Sequence, residues 1–385
     1  MKLQNVAIAS AMLFAGVGVA HAQSSVTLYG TMDTSMVYTN NIASTAGHGS
    51  DLQMYSGSIY TSRWGLRGTE DLGGGLSAVF DLENGFGGNN GEFHNGGDLF
   101  GRQAWVGLSD QGVGQITMGR QYDFMVDYVA PMGVTGSGWG GNLASHPYDN
   151  DNLDNDMRFD NSVKFSSASF NGLKVGAMYA FSGQPGAAGN NNAYSLGAHY
   201  ATGPVSLGAG YVQINRNAGD SNATGANSTS DADGISTGGD QQIWGAAGEY
   251  KFANASVSMV YTHSIVDNLQ GLNFGYTGLT GSYIKFDNFE INGRYFLRSN
   301  LSVSAAYTYT TAGFSSSTKG NADPHFNTVV AQVDYSLSRR TDLYAEGVYQ
   351  RVGGGNGIFM AQTYNLGAAS GNQQLTVGAG MRIRF

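Results

Sequence analysis

The chain closes on LTVGAGMRIRF, in which Leu375, Val377, Ala379, Met381, Ile383 and Phe385 alternate with Thr376, Gly378, Gly380, Arg382 and Arg384. A two-residue period puts one row of side chains on each face of a strand, here apolar on one side and basic or small on the other. A half-buried strand in a soluble sheet shares the alternation, but an apolar aromatic as the last residue is more specific. It fits a strand with lipid on one face and water on the other.

At the opposite end Lys2 precedes an apolar stretch from Val6 to Ala20 and then Ala20-His21-Ala22. This is the order of a secretory leader with a small-residue cleavage site, so residues 1–22 are expected to be removed and 23–385 to form the mature protein. No later window reaches the roughly 18 to 20 apolar residues that a spanning helix requires. An exported chain of this kind is either soluble or crosses a membrane as strands. It has no cysteine, so no disulfide supports it.

The composition favours strands in a membrane. The 385 residues include 59 Gly, 22 Tyr and 19 Phe but only 5 Pro, and charged residues make up 12%, about half the usual share. Aromatic side chains suit strands and membrane interfaces, and glycine suits turns and crowded walls. The net charge is -9, and loss of Lys2 with the leader leaves -10. So acidic a chain has no general attraction for nucleic acid, and no nucleic-acid partner is expected.

Alternation marks sixteen strands, near 25–39, 57–70, 75–85, 98–109, 113–121, 157–168, 172–183, 192–201, 204–215, 240–252, 255–266, 284–297, 301–312, 325–336, 340–352 and 373–385. Their connections alternate between tight turns and long polar segments, the latter at 40–56, 86–97, 122–156, 184–191, 216–239, 267–283, 313–324 and 353–372. The expected fold is all-β, an antiparallel up-and-down transmembrane β-barrel with both termini on the short-turn rim. Sixteen strands enclose an aqueous channel.

The third long connection is different. Asp123 to Ala130 is apolar enough for about two helical turns ended by Pro131, a glycine-rich run follows, and Asp149, Asp151, Asp154 and Asp156 come next. Its Phe124, Met125, Val126 and Val129 need a surface to pack on, and the inner wall provides one. The segment 121–156 is therefore expected to fold into the lumen and narrow it.

Strand parity indicates what faces it. Tyr60, Trp64 and Leu66 suit lipid, which leaves Arg63 and Arg67 inside. Phe159, Val163 and Phe165 suit lipid, which leaves Arg158, Asp160 and Lys164 inside. Trp105 and Gly107 place Arg102 on the opposite parity. An arginine on the lipid face costs about 2 to 4 kcal/mol at the midplane, which also favours inward placement. Arg63, Arg102 and Arg158 are thus candidates for a basic wall, permanently charged and planar. A structural alternative is that they pair with Asp33, Asp81 or Glu83 and stiffen the barrel.

Several stretches carry a family likeness: SSVTLYG (24–30), SRWGLRGTEDLGGGLSAVFDLENGF (62–86), FGRQAWVGL (100–108), GQITMGRQYD (114–123), RFDNSVKFSS (158–167) and the terminal Phe385. Together they resemble a Gram-negative general diffusion porin of the beta-proteobacterial type. The resemblance implies a homotrimer of sixteen-stranded barrels in the outer membrane, in contact with lipid and lipopolysaccharide and inserted by the barrel assembly machinery, with Phe385 as the assembly signal. It implies a channel for small hydrophilic solutes and ions, with Arg63, Arg102 and Arg158 facing acids of the third loop. Asp123, Asp127 and Asp149 are taken for the acidic side, and Arg67, Lys164, Arg382 and Arg384 as other lumen-facing residues. Trp105 and Gly107 would fit a trimer interface. No cofactor or metal is implied.

Two other classes compete. An outer-membrane enzyme would need a clustered Ser/His or Asp/His set, but His48, His94, His146, His199, His263 and His325 are scattered and there is no H-E-x-x-H or G-x-S-x-G. They read as loop or wall residues. A channel selective for sugars or anions is the second alternative; many tyrosines, such as Tyr179, Tyr211 and Tyr309, are explained as interface girdle.

Overall fold

The computed structural model describes residues 24–45, 47–216, 222, 224–228, 236–272 and 279–385. The leader read at 1–22 lies outside the described residues, as does part of the polar connection 216–239. The strands in chain order are β1 Ser25–Ser44, β2 Gly47–Ser56, β3 Arg63–Gly73, β4 Leu76–Gly85, β5 Gln103–Asp110, β6 Gly114–Gln121, β7 Phe159–Ser167, β8 Leu173–Ala180, β9 Asn192–Thr202 and β10 Val205–Asn215. They continue as β11 Ser236–Thr237, β12 Gln241–Lys251, β13 Ala255–Leu269, β14 Gly271–Leu272, β15 Gly281–Arg298, β16 Leu301–Ser315, β17 His325–Ser336, β18 Thr341–Gly353 and β19 Gln373–Arg384.

β11 and β14 form a small separate ribbon, and all the others belong to one antiparallel sheet. β2 and β3 both pair with β1, at its two ends, so they are one stave interrupted at 57–62. The sheet thus has sixteen staves. It closes where β1 pairs with β19, from Thr31 opposite Arg384 to Thr39 opposite Thr376. Closure removes the exposed sheet edges and satisfies backbone groups that lipid cannot.

The terminal residue completes the seam. Phe385 and Gly30 exchange both backbone hydrogen bonds at 3.0 Å. Glycine is required at position 30, because a Cβ there would come within 2.7 Å of the Phe385 ring and of the Arg63 carbonyl oxygen.

The two faces follow the alternation. In β19, Leu375, Val377, Met381 and Ile383 are exposed outward while Thr376 and Arg382 are buried inward. In β1, Leu28, Met32 and Met36 face out, and Asp33, Ser35, Val37 and Thr39 face in. The outward rows make the band that lipid covers. The start of β1, the end of β19 and the short turns, such as Gly73–Leu76 and Thr202–Val205, occupy one rim, the periplasmic one by the rule that outer-membrane barrels keep their short turns there.

Three local readings of the sequence are corrected. The connection 40–56 is mostly strand, a hairpin that prolongs β1 and forms β2, with Ser44 opposite Gly47. Trp105 faces inward: it pairs with Asp81, which pairs with inward Arg67, and the exposed side chains of β5 are Val106 and Leu108. Trp105 and Gly107 therefore do not present an outer interface. Phe159 is also inward and fully buried. Between Gly119 and Gln121 the partner strand β7 has an extra residue, and Asn161 takes the left-handed conformation at φ 52°. Such a bulge shifts the side-chain phase by one residue, so Phe159 turns in together with Ser162 and Lys164.

Candidate functional site

The segment between β6 and β7 enters the lumen and lines much of its inner wall. It begins with a wide helical turn, Met125–Val129, followed by a tighter one at Ala130–Met132. Asp123 starts the turn by accepting hydrogen bonds from the Met125 and Val126 amides, at 2.6 and 3.3 Å. Its other oxygen accepts from Asn152 at 2.6 Å, and burial pushes its pKa up to about 6.

This turn rests on glycines from neighbouring strands. A Cβ on Gly197 would lie 2.5 Å from the Phe124 Cβ and 2.8 Å from the Tyr128 ring, and one on Gly210 would lie 2.8 Å from the Met125 sulfur. A Cβ on Gly176 would strike the Phe124 ring, and one on Gly208 the Tyr128 carbonyl. With side chains absent from that patch, Phe124, Met125, Val129 and Met132 pack on Val212, Ile243 and Val260. Gly208→Val improves strand propensity yet overpacks the contact by about 1 to 3 kcal/mol. The expected outcome is an intact barrel whose inner segment is displaced, read as a larger single-channel conductance with an unchanged circular-dichroism spectrum.

Farther along, the segment is clasped to the opposite wall. His146 Nδ1 lies 2.6 Å from Asp151 and Nε2 lies 2.9 Å from Glu290 of β15. Burial opposes the charged ring, but the two carboxylates prevail and hold the imidazolium with a pKa pushed up to about 10. Glu290 also accepts the Val134 amide at 2.8 Å, and Gln332 of β17 accepts the Gly140 amide at 2.6 Å. Asn142 then donates to the Gly57 carbonyl at 2.7 Å, within the break between β2 and β3. Trp139 and Leu143 pack with Val37, Val330 and Val348.

The segment returns towards its start through a tight passage in which Tyr148, Asp149, Asn152 and Asn155 are all left-handed. Asp149 braces it: its two oxygens accept the Asp154 and Asp156 amides at 2.9 and 3.3 Å. Burial, then the neighbouring carboxylates of Asp156, Asp154 and Asp151, raise its pKa.

Asn155 connects this passage to the arginines. Arg63 Nη1 lies 3.7 Å from Glu83, and Arg102 Nε donates to the same oxygen at 2.8 Å. Arg102 Nη2 donates to Asn155 at 2.9 Å, and Arg158 approaches that amide oxygen at 3.5 Å. The Arg102 and Arg158 guanidinium carbons lie 5.9 and 5.7 Å from the Tyr122 ring centre, within cation–π range. The three arginines thus form one connected network.

Only Arg63 takes its position from strand parity. Arg102 and Arg158 are the residues just before β5 and β7, and reach the lumen from bends. The wall-pairing alternative also applies in part, since Glu83 is the shared partner. A cavity of about 560 Å³ lies beside the network, lined by Arg102, Arg158, His94, Asp154, Asp156 and Tyr364 among others.

The acidic candidates are distributed differently from the expectation. Asp123 caps the helical turn and Asp149 braces the return passage. Asp127 lies 2.5 Å from Lys164, whose ammonium also donates to the Tyr122 carbonyl at 2.7 Å. The acids beside the arginines are Asp154 and Asp156, which the sequence showed only as members of an aspartate run. Burial pushes Asp156 up to about 6 against the pull of Arg158 and Arg102. Asp154 is raised too, by burial and then by Asp156. Burial, then Arg102 and Arg158, lower the pKa of His94.

Among the other inward residues, Arg67 lies over the Tyr29 ring at 4.9 Å. Arg382 and Arg384 share Asp342 at 3.1 and 2.7 Å on the periplasmic side.

The profile of the Gram-negative porin family matches residues 7–355. An outer membrane porin protein of Bordetella pertussis is 28% identical over 409 aligned positions, covering 98% of this chain and 99% of that one. Among solved structures, an anion-selective porin from Comamonas acidovorans superposes with a TM-score of 0.70 at 23% identity, over 94% of this chain and all of that one. OmpT, an outer membrane protein of Vibrio cholerae, superposes at 0.64 with 17% identity, over 94% and 98%. The likeness in fold extends over a closed barrel with sixteen staves, and the family profile covers the inner segment and its arginine network; the chain belongs to the Gram-negative porin family and resides in the outer membrane.

Proposed function

We propose that the protein is a channel for small hydrophilic solutes and ions that favours anions, selecting by size and charge between Arg63, Arg102 and Arg158 and the Asp154–Asp156 edge of the inner segment. The observation that carries this reading is the network joining the three arginines through Glu83 and Asn155 beside an open cavity. Guanidinium groups remain charged at any physiological pH, whereas burial favours the neutral form of the opposing aspartates. Three guanidiniums thus face Glu83 and two aspartates whose ionisation burial opposes, so the balance at the passage leans positive although the whole chain is acidic. Selectivity for anions accounts for this asymmetry better than unqualified general diffusion. The Comamonas acidovorans protein of the same fold, described as anion-selective, is consistent with it.

The working unit in this reading is a homotrimer in contact with lipopolysaccharide, inserted by the barrel assembly machinery through Phe385 after loss of residues 1–22.

The test is the reversal potential of the purified protein in a planar bilayer under a potassium chloride gradient. It is expected to show anion preference at neutral pH, and more on acidification. A carboxyl with a raised pKa loses its negative charge as pH falls through that value, near 6 for Asp156. His94, whose pKa burial and then Arg102 and Arg158 lower, gains positive charge on acidification and acts in the same direction. Cation preference, or a shift towards cations on acidification, would overturn the proposal.

A further inference from the structure

A second basic site lies at the periplasmic end of the channel. Arg294 and Arg298 end β15, Arg339 and Arg340 occupy the turn before β18, and Arg382 and Arg384 end β19. Four of them, Arg294, Arg339, Arg382 and Arg384, line a cavity of about 630 Å³ in which, among the described residues, Asp334 and Asp342 are the lining carboxylates. The cavity also touches the inner segment at Ser137 and Gly138, where the Gly138 carbonyl accepts from Arg382 at 3.2 Å.

The carboxylates are too few for the guanidiniums. A single Asp342 oxygen serves Arg382 at 3.1 Å and Arg384 at 2.7 Å. Asp334 lies 3.5 Å from Arg382 and 3.9 Å from Arg294. The Arg339 guanidinium has no ion pair or hydrogen bond among the described residues, and Arg384 is partly exposed. Four fixed positive charges against two negative ones leave an excess of two. Walls of low dielectric focus that field, and each guanidinium presents a planar fork of donors suited to oxyanions.

We propose that this vestibule is a binding site for small doubly charged oxyanions, set apart from Arg102 and Arg158 and adjoining the arginine network only at Tyr60, whose ring centre lies 5.9 Å from Arg382 and 4.4 Å from Arg63. A dianion matches the excess charge, and its oxygens accept the donors left unused on Arg339 and Arg384. The buried, inward Asp334, Asp342 and Arg382 form its floor and the turns at 299–300 and 337–339 its rim, so the ligand proposed is a free solute entering from the channel mouth and not a lipid headgroup.

The experiment is isothermal titration of hydrogen phosphate into the purified protein in detergent at low ionic strength and slightly alkaline pH. The wild type is expected to show saturable binding. Arg339→Gln combined with Arg384→Gln is expected to weaken it at least about tenfold, the effect of losing one or more charge-assisted hydrogen bonds. Arg339→Gln alone removes a side chain that holds nothing in the fold, and so keeps the test valid if the double variant assembles poorly; it too is expected to bind phosphate measurably more weakly. Arg102→Gln with Arg158→Gln, at residues that line the other cavity and not this one, is expected to leave phosphate affinity within about twofold while altering the reversal potential, which separates this site from the proposed constriction. Absence of saturable heat in the wild type, wild-type affinity in the Arg339 variants, or loss of binding in the Arg102/Arg158 variant would each overturn the proposal.

Discussion

Replacing Arg63 and Arg102 together by alanine is expected to reduce the chloride-to-potassium permeability ratio by about tenfold or more. At about 8 Å and an effective dielectric between 40 and 80, a fixed charge contributes roughly 0.5 to 1 kcal/mol to a passing ion. Two such charges are removed. Each charge acts with opposite sign on chloride and on potassium, so removing two shifts the ratio by roughly 2 to 4 kcal/mol, while Glu83, freed of both arginine partners, keeps the negative charge it already had. About 1.4 kcal/mol is already a tenfold change in a ratio. The measurement is the reversal potential in a salt gradient, with thermal unfolding as a control for the barrel. An unchanged potential would remove these residues from the selective passage.

Replacing His146 by leucine is expected to lower stability by about 3 to 5 kcal/mol, the usual cost of removing one member of a buried ion pair. The ring sits between Asp151 and Glu290, and without it two buried carboxylates face each other with no cation between them. Glu290 also holds the Val134 amide, so the disturbance extends to the middle of the inner segment. Lower thermal stability and flickering single-channel currents are the expected readings, with strand content preserved. The wild-type contribution has a definite pH dependence. A histidine whose folded pKa is raised contributes fully below its ordinary value near 6.5 and loses that contribution as pH rises towards the folded value, here about 10. Stability attributable to the clasp therefore declines across the alkaline range and not the acidic one; the opposite trend in a His146-dependent difference curve would contradict this assignment.

The barrel was legible because alternation and turn chemistry are local properties. The β19 row ending at Phe385, the seven tight turns and the inward Arg63 all follow from a two-residue period. Parity failed where the period itself is interrupted. One left-handed asparagine at 161 reversed Phe159, and the start of β5 at Gln103 put Trp105 inside while Arg102 reached the lumen from a bend. The acidic side was illegible for another reason: in a run of aspartates, the left-handed residues at 148, 149, 152 and 155 decide which carboxylates turn towards the backbone and which towards the arginines. The bed beneath the inner segment was hidden by distance along the chain. Gly176, Gly197, Gly208 and Gly210 come from β8, β9 and β10, and only their lateral pairing makes them one surface. Likewise the choice between unqualified diffusion and charge selection depends on which groups are buried together, which no strand period records.

The seam between Gly30 and Phe385 bears on how the chain is made. Its first strand finds its closing partner more than three hundred residues later, so this pairing carries the largest loop-closure cost in the fold and is expected to form late. Because β19 closes the sheet against β1, a chain in which β19 has not yet docked retains an open edge along β1, and with it a surface prone to aggregation. Closure thus commits the whole wall at once: until β1 and β19 meet, all sixteen staves share one unsealed sheet.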